Sequence, residues 1–175
     1  LHNEYFGGGM SSVMFQELRE SQALAYSVYS TFTTPRKTND SHFQLSYIGT
    51  QADKLEEAMM GMMNLLKEMP KSEGNLNAAK EGIVQKIRTE RITKSAIMNY
   101  IERAKKMGLS SDSRKNIFEN IENFSMDDVE NFHNEKISNQ NYTYLVLADK
   151  KSINFELLSK YGKVEFLTLE KVFGY

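Results

Sequence analysis

The sequence predicts one α+β domain, in which an antiparallel or mixed sheet carries helices packed on one of its faces. Two short stretches rich in aromatic and β-branched residues, 24–33 and 43–48, are typical of strands. Apolar stripes with helical spacing follow them, and the chain then returns to a strand, a helix and a strand. The length of 175 residues fits a single domain, residues 1–175.

The first elements are predicted from the residues that begin and end helices. Residues 1–6 are typical of the last turns of a helix, and we expect Gly7 in the left-handed conformation that often ends one. Ser11 or Ser12 is the expected N-cap of a short amphipathic helix that ends near Arg19.

Polar caps and proline set the remaining helix boundaries. Asp53 and Ser72 are expected to begin two helices, Pro70 separates them, and Ser125 with Asp128 matches a capping box. The predicted elements, in chain order, are a turn at 35–40, helices at 53–69, 72–93, 95–107, 113–123 and 125–136, a strand at 142–148, a short helix at 155–158 and a strand at 164–167.

Composition excludes several classes of function. The net charge of −1 predicts no long-range attraction to nucleic acid. Cysteine is absent, which excludes disulfides, thiolate metal sites and cysteine nucleophiles. No apolar run approaches the ~20 residues of a membrane span, so we expect no membrane span.

Searches for a complete catalytic centre find none. The three histidines, His2, His42 and His133, lie far apart, and no H-x-x-E-H or H-E-x-x-H pair places two ligands on one helix face. We interpret them as surface or packing residues. The segment 9–13 lacks the second glycine of a G-x-S-x-G nucleophile elbow, which disfavours an esterase.

The glycine run Gly7, Gly8 and Gly9 leaves two interpretations open. It leads into a helix N-terminus, which can hold a phosphate through free N–H groups and the helix dipole. However, it follows a helix and lacks the Lys-Ser/Thr pair of a P-loop, so a tight turn between two helices is the alternative.

Arg19 and Tyr26 form the most specific candidate pair. Taken singly, they are a surface arginine and a strand tyrosine half inside the core. Because a helix end and an adjacent strand carry them, a guanidinium and a phenol can be aimed at one point. Both groups donate hydrogen bonds, and together they suit a carbonyl or a developing oxyanion.

These residues resemble the C-terminal-half signature of the pitrilysin/insulysin zinc metallopeptidases, the inverzincins related to the mitochondrial processing peptidase. The resemblance extends over nearly the whole chain. The segments that carry it are Phe6-Gly7-Gly8-Gly9-Met10-Ser11-Ser12, Leu18-Arg19-Glu20 and Leu24-Ala25-Tyr26-Ser27-Val28.

The resemblance implies a domain of the LuxS/metallopeptidase type and half of an active site. In that family two halves close like a clamshell around a peptide, and one half holds zinc on H-x-x-E-H. The opposite half contributes an arginine and a tyrosine that hold substrate and support the transition state, which maps onto Arg19 and Tyr26. The loop Gly7, Gly8 and Gly9 matches a segment expected to touch substrate.

Three departures from the family pattern shape the expected function. The zinc motif is absent, so no metal site or cofactor is expected in this chain, which alone should not hydrolyse peptides. Ala23 stands where the family commonly has glycine. The family's first strand and part of a helix have no counterpart before Leu1, so we expect an N-terminally truncated domain.

The leading hypothesis is therefore the non-zinc, substrate-binding half of a zinc metalloendopeptidase. Its expected partners are a peptide substrate and a zinc-bearing half, either on the same polypeptide or on a paired subunit. The alternative is a non-catalytic scaffold or peptide-binding subunit of the same family. The compartment, bacterial cytoplasm or periplasm, stays open.

Overall fold

A computed structural model describes residues 1–35 and 37–174, so Arg36, within the predicted turn at 35–40, lies outside the described residues. The α+β class is confirmed. The helices and strands are α1 His2–Phe6, a π-helix Phe15–Ser21, β1 Ser27–Phe32, β2 Gln44–Gly49, α2 Leu55–Lys67, α3 Glu73–Thr89, α4 Lys94–Lys106, α5 Ser113–Asn120, α6 Met126–Lys136, α7 Phe155–Ser159 and α8 Leu169–Phe173, with short 3₁₀ turns at Ala52–Lys54, Ile121–Asn123 and Lys150–Ser152.

The sheet of the described residues has two antiparallel strands, β1 and β2, with Tyr29 opposite Tyr47. Side chains alternate between the faces of a strand. Val28 and Ser30 of β1 are buried against the core, whereas Tyr29 and Tyr47 stack on the opposite, exposed face with ring centroids 5.3 Å apart. The helices therefore cover one face of the sheet.

Helix α1 lies along the outer edge of β1 and substitutes for a strand there. The Asn3 side chain accepts the backbone N–H of Phe32 at 2.8 Å and donates to its carbonyl at 2.9 Å. One turn later, the carbonyl of Gly7 accepts the N–H of Ser30 at 3.2 Å. Three hydrogen bonds thus fix α1 and the start of the glycine loop to β1.

The expectation of a left-handed Gly7 is wrong, because its φ is −143° and its ψ is 3°. The physical reason for glycine is close packing. A Cβ atom on Gly7 would lie 2.5 Å from the Cβ of Ser30 and nearer still to the Ser30 backbone. Contact between real atoms at such distances does not occur, so any side chain here would push the loop off β1.

The core lies between α1, β1 and the helices α2, α3 and α6. The hydroxyl of Tyr5 links α1 to the segment between α2 and α3, because it donates to Pro70 O at 2.8 Å and accepts from Ser72 N at 3.0 Å. The largest fully buried side chains are those of Tyr5, Phe6, Met14, Leu18, Leu76, His133 and Ile137. Among residues 1–35 and 37–174, none of the helices combines the length and apolar character needed to cross a bilayer.

Most predicted helix boundaries are confirmed by their caps. Ser72 caps α3 through the N–H of Asn75, and Ser125 with Asp128 forms the predicted capping box of α6. Helix α3 ends at Thr89 rather than near Thr93, because Thr93 instead caps α4.

The predicted cap at Asp53 is wrong. Asp53 lies inside the 3₁₀ turn Ala52–Lys54, and α2 begins after it without a side-chain cap. An N-cap residue lies just before the first helical turn, where its side chain can accept an N–H of that turn. Asp53 already lies within the turn, so its carboxylate is not in the capping position.

The predicted strands at 142–148 and 164–167 are also wrong, since these segments are not strands in the described part of the chain. A β-branched and aromatic stretch forms a strand only when another strand pairs with it. The hydroxyl of Tyr142 instead donates to Ile137 O at 2.8 Å, and Leu145 and Leu147 remain exposed. The C-terminal α8, capped by Thr168, was not predicted.

Candidate functional site

The candidate site begins at a π-helix, a form that occurs mostly as short segments and often at functional sites. Ser12 is the cap predicted at this position, because its hydroxyl accepts the N–H of Phe15 at 3.4 Å. The apolar face predicted for this helix is confirmed, with Val13, Met14 and Leu18 buried. The polar face of the same helix points outward and carries Arg19.

A single carbonyl oxygen accepts the two hydrogen bonds that close the turn after the π-helix. The carbonyl oxygen of Leu18 accepts the N–H of Leu24 at 2.8 Å and that of Ala25 at 3.2 Å. This closure brings Ala23 to φ 51°, a left-handed conformation that costs a non-glycine residue roughly 1–2 kcal/mol. The expected preference for glycine at position 23 therefore has a local physical cause.

Arg19 rests on an aromatic ring. Its guanidinium carbon lies 4.7 Å from the centroid of the Phe15 ring, within the range of a cation–π contact. Its Nε atom is 3.8 Å from a carboxylate oxygen of Glu20, and about two fifths of the side chain is exposed (43%). Phe15 packs against the core, so it supports the guanidinium from beneath and leaves donors open to solvent.

Tyr26 projects into solvent at the start of β1. Its side chain is 86% exposed, so the interpretation of a tyrosine half inside the core is wrong. Its backbone N–H donates to Gly49 O at 2.7 Å, which fixes the main chain at this point. Within the described residues its hydroxyl has no hydrogen-bond partner, and no contact joins it to Arg19.

The three glycines of the loop are not equivalent. Gly7 is buried against β1, and a Cβ atom on Gly8 would lie 2.8 Å from Asn3 O. A Cβ atom on Gly9 would find its nearest neighbour, Glu4 Oε1, at 3.7 Å, an ordinary contact. Packing thus accounts for glycine at positions 7 and 8, whereas position 9 has room for a side chain.

Three amides near the start of the helix already donate to acceptors in the loop. Ser12 N–H donates to Gly9 O at 3.0 Å, and Gln16 N–H donates to Ser12 O at 3.0 Å. Together with the bond from Phe15 N–H to the Ser12 hydroxyl, these contacts occupy amides at the start of the helix that an anion would need. The geometry favours the tight-turn interpretation of the glycine run.

Comparison with known families assigns this part of the chain. Residues 1–83 match the model described as the peptidase M16 inactive domain. This first part of the chain, somewhat less than half of its length, is therefore similar to the peptidase M16 inactive domain. The resemblance seen in the glycine, arginine and tyrosine motifs is thereby confirmed, and all five predicted site residues lie within the matched stretch.

One curated protein and two solved structures are similar to parts of this chain. The "uncharacterized zinc protease YmxG" of Bacillus subtilis is 44% identical over 55 residues, which cover 31% of this chain and 13% of that protein. A peptidase M16 inactive domain from Pseudomonas fluorescens superposes with a TM-score of 0.61 and 20% identity, over 78% of this chain and 33% of the other.

A protease from Helicobacter pylori superposes with a TM-score of 0.57 and 15% identity, over 76% of this chain and 32% of that one. At such identities the two structures establish the shared fold alone. The chain spans about a third of each solved structure and a smaller share of YmxG.

The side chains of the described residues do not fit a zinc site. Among residues 1–35 and 37–174, no three His, Cys, Asp or Glu side chains are grouped so that they could hold a metal ion. The two histidines that do meet, His2 and His133, direct Nε2 and Nδ1 at each other, 3.1 Å apart, and are buried. This mutual hydrogen bond occupies one nitrogen of each ring, and His133 Nε2 is occupied by Leu66 O, so the pair does not offer a metal two free nitrogens.

Sequence reasoning missed two features of this region. It treated the histidines as unrelated, because His2 and His133 are 131 positions apart and their contact is long-range. It also did not link Phe15 to Arg19. Their spacing of four residues on one helix could have indicated that pair, since residues four apart are neighbours on a helix surface.

Proposed function

We propose that this chain is the non-zinc, substrate-binding half of a zinc-dependent metalloendopeptidase, and that it supplies Arg19 and Tyr26 to the active site of a zinc-bearing half. The match of residues 1–83 to the model of the peptidase M16 inactive domain supports the pairing. In this proposal the two halves close around a peptide, and this chain alone has no hydrolytic activity.

One observation supports the proposal most directly. The side chains of Arg19 and Tyr26 are exposed hydrogen-bond donors, and hydrogen bonds fix the main chain that carries them. The Leu18 carbonyl closes the turn between them, and Gly49 O holds the backbone of Tyr26. Rigid backbone with exposed polar side chains is the arrangement that a preorganised binding site requires, because donors fixed in advance need no reorganisation when charge develops.

The two side chains suit different parts of the same task. Arg19 keeps its positive charge at any working pH and can offer two parallel N–H groups to a peptide carbonyl. Tyr26 offers a neutral O–H, which its 86% exposure leaves available to an incoming substrate. When bound in the opposite half, zinc supplies the Lewis acid and the activated water.

The glycine loop belongs to the same proposed surface. Gly8 is exposed and Gly9 is half-buried, while Gly7 is anchored to β1. We assign contact with the peptide to Gly8 and Gly9, where the main chain can be approached closely, and a structural role to Gly7.

The test uses the complete peptidase that contains this chain, with Arg19→Ala and Tyr26→Phe made separately. Each substitution should lower kcat by about 10²–10³, the usual effect of removing one donor from an oxyanion-type site. Thermal unfolding should change little, because both side chains lie on the surface and the main-chain bonds of the turn remain.

Arg91→Ala and Tyr47→Phe are matched controls, since they remove an exposed arginine and an exposed hydroxyl elsewhere. Both should leave kcat unchanged. Full activity in Arg19→Ala and Tyr26→Phe would refute the proposed roles. Failure of the chain to activate any H-x-x-E-H half would favour the alternative, a scaffold or peptide-binding subunit.

A further inference from the structure

Two histidines form a buried hydrogen-bonded pair between α1 and α6. His2 Nε2 and His133 Nδ1 are 3.1 Å apart, and the two side chains are 8% and 0% exposed. Aromatic rings enclose them: the Phe6 ring lies 5.2 Å from the His2 ring and 4.9 Å from the His133 ring, and the Phe132 ring lies 5.1 Å from that of His2.

The positions of the protons follow from a backbone carbonyl. His133 Nε2 lies 3.0 Å from Leu66 O, which can only accept, so this nitrogen carries a proton. In a neutral ring the other nitrogen, Nδ1, is then the acceptor. His2 must therefore donate from Nε2, and its own Nδ1 is left unprotonated.

That last nitrogen has no partner. His2 Nδ1 is buried and makes no hydrogen bond among the described residues. His2 thus donates to His133, and His133 donates to Leu66 O. Neither ring has an acceptor left that could receive a hydrogen bond from an additional proton. A proton on His133 Nδ1 would set two N–H groups against each other, and one on His2 Nδ1 would bury a positive charge among aromatic rings.

We propose that the His2–His133 pair is an acid-released latch, which fastens α1 and the glycine loop that follows it to α6 and the C-terminal end of α2. The latch needs both rings neutral. Because Asn3 and Gly7 connect α1 to the edge of β1, its release loosens the loop from the sheet as well.

The charged surroundings of the pair do not favour a second proton. On the α1 side, a hydrogen-bonding contact with the Asn3 side chain favours a proton on His2, but burial and the neighbouring His133 ring have larger effects and oppose it. Glu4, the carboxylate of α1, is engaged by Lys86 of α3 at 2.6 Å. On the α2 side, the backbone of Leu65 and Leu66 faces His133.

Burial is the main cause that lowers the pKa of His2, to about 3, and it lowers the pKa of His133 as well. A histidine that stays neutral when folded but takes up a proton when unfolded loses its stabilising effect as the pH falls below ~6.5. For one such histidine, the opening equilibrium constant rises about 30-fold between pH 7.5 and pH 5.0.

Hydrogen exchange on the 175-residue chain at these two pH values tests the latch. The reporting amides are those of Tyr5, Gly7 and Ser30, whose N–H groups bond to Leu1 O, Asn3 O and Gly7 O. After correction for the intrinsic exchange rate, their protection should fall about 30-fold or more at pH 5.0. The amides in the middle of α3 should change less.

Two variants remove the titration in different ways. His2→Phe keeps an aromatic ring but has no basic nitrogen. His133→Gln retains a donor for Leu66 O and an acceptor for His2. Because each variant removes one of the two titrating rings, each should reduce the pH dependence, whereas His42→Gln, which removes an exposed histidine, should leave it intact.

Equal protection at both pH values in the unmodified chain would overturn the latch. So would a full acid response that persists in His2→Phe, or in His133→Gln where His2→Phe does not fold. The measurement needs no peptidase partner, so its result is independent of the proposed roles of Arg19 and Tyr26.

Discussion

Replacing Gly7 with alanine tests whether the glycine loop is held by packing rather than by a special backbone conformation. The added methyl group would lie 2.5 Å from the Cβ of Ser30 and closer to its backbone. Because those atoms belong to a strand, relief requires α1 to move away from β1. The bond from Ser30 N–H to Gly7 O would then be lost.

The magnitude of the effect can be built from two contributions. Inserting a methyl group into a packed interior costs about 1–3 kcal/mol. Loss of one hydrogen bond adds about 0.5–1.5 kcal/mol. We therefore expect Gly7→Ala to lower the free energy of unfolding by about 2–4 kcal/mol. With an m-value of roughly 2 kcal/mol/M, the urea midpoint should fall by about 1–2 M.

Urea unfolding followed by circular dichroism measures this shift, and Gly9→Ala is the matched control. Its Cβ would lie 3.7 Å from Glu4 Oε1, and Gly9 is not among the glycines with positive φ, so alanine fits there. Its midpoint should stay close to that of the unmodified chain. If Gly7→Ala and Gly9→Ala shift the midpoint equally, the packing explanation is wrong.

Two further substitutions test the turn that carries the candidate site. Ala23→Gly should stabilise the chain by about 0.5–1 kcal/mol. Glycine adopts the left-handed conformation at φ 51° without strain, and this gain exceeds the cost of a more flexible unfolded chain. A loss of stability in urea unfolding would contradict this account. Phe15→Leu removes the ring beneath Arg19. A double-mutant cycle with Arg19→Ala should give a coupling of about 0.5–1 kcal/mol, and zero coupling would show that the guanidinium gains nothing from the ring.

Local signals in the sequence were sufficient for most helices. The hydroxyl of Ser72 and the reciprocal bonds of Ser125 with Asp128 act over three residues, so the sequence itself contains all of the interacting groups. The motifs around Arg19 and Tyr26 are likewise local, and both lie within residues 1–83, which match the family model. The roles of those two residues remain predictions.

Non-local contacts account for what the sequence could not predict. The segment at 142–148 has strand-like composition, but pairing depends on where another strand lies. Gly7 is a glycine because of Ser30, 23 residues later, and not because of its own φ. The hydrogen bond of His2 with His133 likewise depends on the packing of α1 against α6.

Because α1 is attached to β1, only one edge of the sheet is available to another strand. Asn3 and Gly7 occupy the outward-facing peptide groups of Phe32 and Ser30. Thr33 N–H donates to Phe43 O, so these two residues form a hydrogen-bonded pair. Such pairs alternate along an antiparallel ladder with pairs whose peptide groups point away from the partner strand. In β2 the residues whose peptide groups point away from β1 are Gln44, Ser46 and Ile48. A further strand, from whatever source, can therefore join only beyond β2, and the side of the sheet next to the glycine loop is closed to extension.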